Sequence, residues 1–367
     1  MQHASYHQQL TAKVTSLERL LAPYSTAELA IFPCIHRQYR MRAEFSIRRQ
    51  QGKCQYVMFQ VDDHGRKQPE VIQQLAIAHP AINQLMPRLL AIINQQPDLQ
   101  QHLFQVEFLA NLAGDVLVSL IYRKHIAHAW LTAAETLTDQ LAIHIVGRSR
   151  NLKLVVGQDY LEERFQVGDR QLVYRQAENG FSQPNAYING EMLNWAEQIT
   201  RPLGGDLLEL YCGNGNFTVA LATNFNKVLA TEISKVTTAV ALHNLQHNQV
   251  TNVKLVRMAS GEVSDALADL RVFRRLQLQQ VKLTDYQFTT LLVDPPRAGL
   301  DSDTVQMARG FNHILYISCN PDSLVENLKV LNRSHRIDKI ALFDQFPFTP
   351  HIECGLLLTK LNPGFIC

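Results

Sequence analysis

The chain has 367 residues, with 35 Lys and Arg against 33 Asp and Glu for a net charge of +2, and 46% of it is hydrophobic. It can therefore fill two domain cores, and its bulk charge points to no partner. Its six cysteines, at 34, 54, 212, 319, 354 and 367, form no C-x-x-C pair, which argues against a secreted disulfide framework and against any structural metal.

Reduced thiols fit a cytoplasm. The N-terminal MQHASYHQQL lacks a signal-peptide pattern and no uncharged apolar run reaches membrane-span length, so a soluble cytoplasmic protein is expected. Leu10, Val14, Leu17 and Leu21 share one face of a first predicted helix. Alternating strands follow near 38–48 and 55–61, then a helix near 82–95. FQVEFLA and DVLVSLIYR read as a hairpin turning at Ala113-Gly114, with another helix near 131–142. This mixture predicts an α+β module over 1–180. From Asp206 onward the apolar runs DLLELY, KVLATE, VKLVRM, TTLLVD and HILYIS alternate with helix-compatible segments. Such runs, apolar on both faces, predict a doubly wound, mostly parallel α/β domain over 181–367. His351 to Lys360 is expected to close it as an antiparallel last strand.

Chemistry gathers at the predicted strand ends. The first parallel strand runs into ELYCGNGNFT, residues 209–218, where Gly213 and Gly215 allow a tight turn and close approach of a ligand. No Lys-Ser or Lys-Thr follows, against a phosphate loop, and Glu232 ends the next strand, where it can accept from ribose hydroxyls. Nicotinamide dinucleotides and S-adenosylmethionine both suit this geometry, as does a bare turn; Asn214 and Asn216 favour an amino-acid ligand. LLVDPPRAGLD, 291–301, brings Asp294 to the same edge, stiffened by two prolines. YISCNPDS, 316–323, places Cys319 between a strand and a helix opened by Asn320 and Pro321. The helix N-terminus pulls the thiol pKa down and Asp322 pushes it back, so a modest lowering is expected. Such a cysteine can add to an electrophile. Glu353 and His351 compete as its companion base, and Glu353 also reads as a solvated strand residue.

The segment CIHRQYRMRAEFSIRRQQGK, 34–53, sets Arg37, Arg40, Arg42, Arg48, Arg49 and Lys53 against one acid, Glu44. On a strand, Met41, Ala43, Phe45 and Ile47 point inward and Arg40, Arg42 and Arg48 outward. The outer row is either a phosphate-binding stripe or an ordinary charged edge.

FSQPN (181–185), ELYCGNGNFT, DPPRAGLD, YISCNP and FPFTPHIECG, in this order, resemble the S-adenosylmethionine-dependent RNA 5-methyluridine methyltransferases. YRMRAEFSIRR and LFQVEFLANL extend the similarity into the first half. Within that family the chain is most similar to the tRNA (uracil-5-)-methyltransferases, since the four-cysteine site and small β-barrel of ribosomal-RNA relatives are missing. The resemblance implies a Rossmann-like methyltransferase domain preceded by an α+β RNA-binding domain. It implies methylation of C5 of the T-loop uridine, position 54, of tRNA, with Cys319 as nucleophile and Glu353 as general base. Gln183, Tyr211, Asn216, Glu232 and Asp294 match positions that hold S-adenosylmethionine, and Phe104 matches an aromatic that stacks on an unpaired base. The T-arm is the implied partner of a monomer. A ribosomal-RNA 5-methyluridine enzyme, an N-methyltransferase using DPPR and a non-catalytic RNA-binding factor are the competing readings.

Overall fold

A computed structural model describes residues 6–62, 65–126 and 128–361; Cys367 lies outside them. The chain divides into two compact units, one of Met1–Ile35, Arg164–Tyr174 and Tyr187–Cys367, the other of His36–Glu163 and Arg175–Ala186. It opens with helix α1 (Tyr6–Leu21) and strand β1 (Leu29–Phe32). Leu17 and Leu21 of α1 are buried in the large apolar core of the first unit, with Leu10 and Val14 packed against it, so the predicted helical face is the one that docks.

The second unit then forms in sequence: β2 (Arg42–Gln50), β3 (Lys53–Val61), β4 (Lys67–Val71), α2 (Pro80–Ile93), α3 (Pro97–Gln100), β5 (Leu103–Ala110), β6 (Val116–Tyr122), α4 (Ala129–Leu141), β7 (His144–Ser149) and β8 (Leu152–Val156). Its sheet has the order β4-β3-β2-β5-β6-β7-β8. Neighbours are antiparallel except β6 and β7, which α4 connects as a crossover. The alternation read from the sequence is real: Met41, Ala43 and Phe45 are buried, and Phe45, Tyr56 and Phe108 pack ring to ring at 5.3 to 6.0 Å.

Strands β9 (Tyr160–Val167) and β10 (Arg170–Ala177) pair with each other. The first unit continues through α5 (Ala186–Thr200), β11 (Asp206–Leu210), α6 (Asn216–Leu221), β12 (Lys227–Thr231), α7 (Lys235–His247), β13 (Val253–Val256), α8 (Ser260–Leu267), α9 (Arg274–Leu278), β14 (Phe288–Val293), α10 (Ser302–Ala308), β15 (His313–Ser318), α11 (Pro321–Leu331), β16 (His335–Phe343) and β17 (Glu353–Lys360). Its eight strands lie in the order β1-β16-β17-β15-β14-β11-β12-β13. All neighbours are parallel except β17, which is antiparallel to both β15 and β16. Every residue of β11 is buried, as a strand covered on both faces requires.

Two expectations are corrected. A single cut at 180/181 does not follow the compact units, because β1 adds to the edge of the second-half sheet through Leu29↔Ile340 to Phe32↔Phe343. Residues 181–186, in turn, stay with the preceding unit. Strand β16 was not anticipated either, and its polar first half and register shift between Ile337 and Lys339 explain why. No helix of the described residues is long and apolar enough to cross a membrane.

Candidate active site

Cys319 follows β15 directly and is half-buried. Antiparallel register pairs Ser318 with Cys354, so the next pair outward brings Cys319 opposite Glu353, the first residue of β17. Parallel register between β14 and β15, Val293↔Tyr316, carries Asp294 to the same carboxyl edge. The loop after Asp294 is fixed from two sides. Asn320 Nδ2 donates to Arg297 O at 2.8 Å, and Asn327 of α11 accepts from Leu300 N at 2.9 Å while donating to Leu300 O at 3.1 Å. Asn327 also accepts from the Tyr316 hydroxyl at 2.7 Å. Its role was missed, although a signal existed: an asparagine interrupts the apolar stripe Leu324, Leu328, Leu331 of α11.

Electrostatics at this edge differ from expectation. Burial, then the neighbouring Glu353 and Asp294, push the Cys319 thiol up to about 11, with Arg297 opposing. The helix N-terminus does not prevail, and the Asp322 amide is engaged by the Asn320 side chain at 3.3 Å. Burial raises Asp294 to about 7. Burial and then Asp294 hold Glu353, 2% exposed, well above the ordinary carboxyl range. Of the two candidate bases, Glu353 is the one in register with Cys319, while His351 is exposed in the preceding loop, its ring against Phe346.

The glycine loop lies between β11 and α6, beside the point where the sheet order reverses from β12 to β14. Gly213 and Gly215 have φ of 58° and 82°, and a Cβ built on Gly213 meets nothing within 4 Å, so the outside of the loop is open to a ligand. Glu232 follows β12 and accepts from Gly213 N at 3.2 Å and Ser234 N at 2.7 Å, which shapes the loop. Tyr211, at φ 59°, packs against the main core, and burial raises its hydroxyl pKa. Asn216 pairs its amide reciprocally with Asn189, both bonds 2.9 Å. An open loop of positive-φ glycines with a carboxylate at the next strand end fits S-adenosylmethionine. Gln183 lies in the 175–186 stretch of the other unit, half-buried. Among the described residues no group of three His, Cys, Asp or Glu could hold a metal ion.

In the second unit, the basic stripe needs correction at Arg42. Its guanidinium donates to Ser182 Oγ at 2.8 Å and to the carbonyls of Glu178 and Ala177 at 2.9 Å each, and burial lowers its pKa to about 10. It holds the 177–182 stretch and is not a surface cation. Arg40 is half-buried with Nε donating to Arg42 O at 2.9 Å, whereas Arg48 and Arg49 are exposed. Phe104 sits where the β5–β6 register shifts, between Leu103 and Gln105, half-buried with Arg123 over its ring at 5.5 Å. A bulge of this kind re-aims a side chain.

A doubly wound sheet with an antiparallel strand beside its fifth parallel one, a glycine loop after the first strand and an acid after the second define an S-adenosylmethionine-dependent methyltransferase. The fold is shared with the Pyrococcus abyssi tRNA (uracil-54, C5)-methyltransferase in complex with S-adenosyl-L-homocysteine, at TM-score 0.73 and 20% identity over 98% of this chain and 84% of that one. The sequence model of the tRNA (Uracil-5-)-methyltransferase family matches residues 5–361, and the chain belongs to that family. It is 48% identical to the tRNA/tmRNA (uracil-C(5))-methyltransferase of Aromatoleum aromaticum, over 97% of this chain and 96% of that protein. It is 46% identical to the one from Cellvibrio japonicus, with the same coverage. Membership makes it an S-adenosylmethionine-dependent enzyme that methylates C5 of uracil in RNA.

Proposed function

We propose that the chain methylates the T-loop uridine, position 54, of tRNA through a covalent bond between Cys319 and C6 of uracil. One observation carries the chemistry: strand register sets a half-buried cysteine opposite a buried glutamate, with an aspartate on the adjoining strand end. C5 of uracil is too weak a nucleophile to take a methyl group unaided. Addition of the Cys319 sulfur to C6 pushes an electron pair into the ring and makes C5 an enolate carbon. S-adenosylmethionine supplies a methyl group on a positively charged sulfur, a charge that also favours ionisation of acids beside it. Tyr211, Asn216, Glu232 and Asp294 are the residues proposed to hold it. Once C5 carries the methyl group, Glu353, which must reach this step as the carboxylate, takes the C5 proton; the released pair restores the C5–C6 double bond and expels the Cys319 thiolate.

The thiol is protonated in the free site, so its proton must leave as the bond to C6 forms. Asp294, whose carboxyl burial holds above its ordinary range and which adjoins Cys319 at the same strand edge, is the acceptor proposed for that proton. Binding is assigned to the second unit, with Arg40 and Arg48 on phosphates and Phe104 on an unpaired base. Relatives named for both tRNA and tmRNA favour recognition of a module common to the two, which a T-arm stem-loop satisfies.

The test uses a T-arm stem-loop of roughly 17 nucleotides, recognised by stem shape and displayed loop bases. Wild type should methylate its loop uridine and, with 5-fluorouridine there, give a band that survives denaturing gels. Cys319→Ala should lose both activities, and Glu353→Gln should accumulate a methylated adduct on the natural loop. A band that persists in Cys319→Ala would sink the mechanism. Methylation of a ribosomal-RNA fragment with the T-arm untouched would overturn the substrate.

A further inference from the structure

The loop between β16 and β17, residues 344–352, leads straight into Glu353 and carries an aromatic side chain that the chemistry above does not use. Phe348 has φ 61°, a conformation that costs a bulky side chain and that glycine or asparagine would adopt cheaply. Helix α1 holds it there. The Phe348 amide donates to Gln9 Oε1 at 2.9 Å, and its ring packs on Tyr6 at 5.8 Å. Tyr6 is itself fixed, its hydroxyl accepting from Cys34 N at 2.7 Å. Lys13, buried, pins the start of the loop by donating to Asp344 Oδ1 at 2.7 Å and to Phe346 O at 2.9 Å. Despite these restraints Phe348 remains 46% exposed. A strained backbone, four props from one helix and an apolar ring left half in water are a poor arrangement for stability alone.

We propose that Phe348 is a stacking platform for an unpaired RNA base next to the uridine that reaches Cys319. It stands five residues before Glu353, on the loop at the carboxyl edge where the reacting groups lie. Tyr6 abuts the ring in a tilted contact, 5.8 Å between centroids and 60° between planes, which restrains it while leaving the residue exposed. The exposed His351 ring nearby adds a second flat group of the kind that stacks on bases. A single ring set among Thr349, Pro350 and His351 is too small for a protein interface but matches one nucleobase. Withdrawing the target uridine leaves its neighbours unstacked, and a waiting ring offsets part of that cost.

This inference rests on an RNA loop being the substrate, and the experiment separates the two. T-arm stem-loops carry 2-aminopurine in turn at each position flanking the target, and both binding fluorescence and steady-state methylation are followed. With wild type, one position should be quenched on binding. Phe348→Gly keeps the loop conformation unstrained while removing the ring; it should lose that quenching and raise KM about tenfold, the order expected for one base–aromatic stack. Phe348→Tyr should restore both. If wild type methylates the stem-loop and Phe348→Gly quenches and turns over equally well, the platform is refuted and the activity stands. If wild type does not methylate it, the substrate reading fails and this inference with it.

Discussion

At pH 7 a thiol with a pKa of about 11 is ionised to about one part in ten thousand, so the Cys319 thiol is almost wholly protonated in the free site. Alkylation by iodoacetamide, followed by mass spectrometry of the Cys319 peptide, should accelerate about tenfold per pH unit from 7 to 10. Asp294→Asn should speed it in the upper part of that range, because one anionic neighbour is gone. A rate that levels off below pH 9 would mean that burial and the two carboxylates do not govern the thiol. The position of Cys319 was legible in the sequence, at a strand end before an Asn-Pro helix start. Its ionisation was not, because its burial, and then the approach of Glu353 and Asp294, arise only from the tertiary packing of the strands, and these effects outweigh the local helix terminus. Arg42 teaches the same lesson: alternation assigned its face correctly, but nothing local revealed that its donors are spent on the carbonyls of Ala177 and Glu178.

Strand β11 carries a residue the proposed chemistry leaves aside. Glu209 is 1% exposed, and burial raises its pKa to about 8, from an ordinary value of about 4.3. Between those two values the folded chain holds a proton that the unfolded chain has released, so stability falls as pH rises from about 4 through 8. Asp294, raised to about 7, acts with the same sign. The melting temperature of wild type should therefore drop between pH 5.5 and 8.5, and Glu209→Gln, with no proton to lose, should drop less. Parallel pH profiles for the two proteins in thermal unfolding would contradict this. The apolar strands of the sheet were readable because most of their residues are buried on both faces, the edge strand β13, with Lys254 exposed, being the exception. Strand β1, four residues and only partly buried, and β16, polar in its first half, derive their place from each other, and a pairing across three hundred residues leaves no local mark.

For the whole molecule, affinity for a polyanion should show in its salt dependence. Replacing Arg40 and Arg48 by alanine should flatten the plot of log affinity for tRNA against log salt by up to about one unit per lost phosphate contact, leaving S-adenosylmethionine binding unchanged. Arg42→Ala should instead lower the unfolding temperature, since it removes donors from buried carbonyls; filter binding and thermal unfolding separate the two outcomes. The place of β17 in the sheet bears on how the enzyme is made. It is the last described strand in sequence yet lies between β16 and β15. Without it the strand order falls into two unjoined parts, β1 with β16 and β15 with the remainder, and Cys319 has no glutamate opposite it. A chain truncated before Glu353 lacks both the strand that joins the two parts and the proposed base, so it is expected to show no methylation, because β17 alone among the described strands joins the sheet and completes the proposed site.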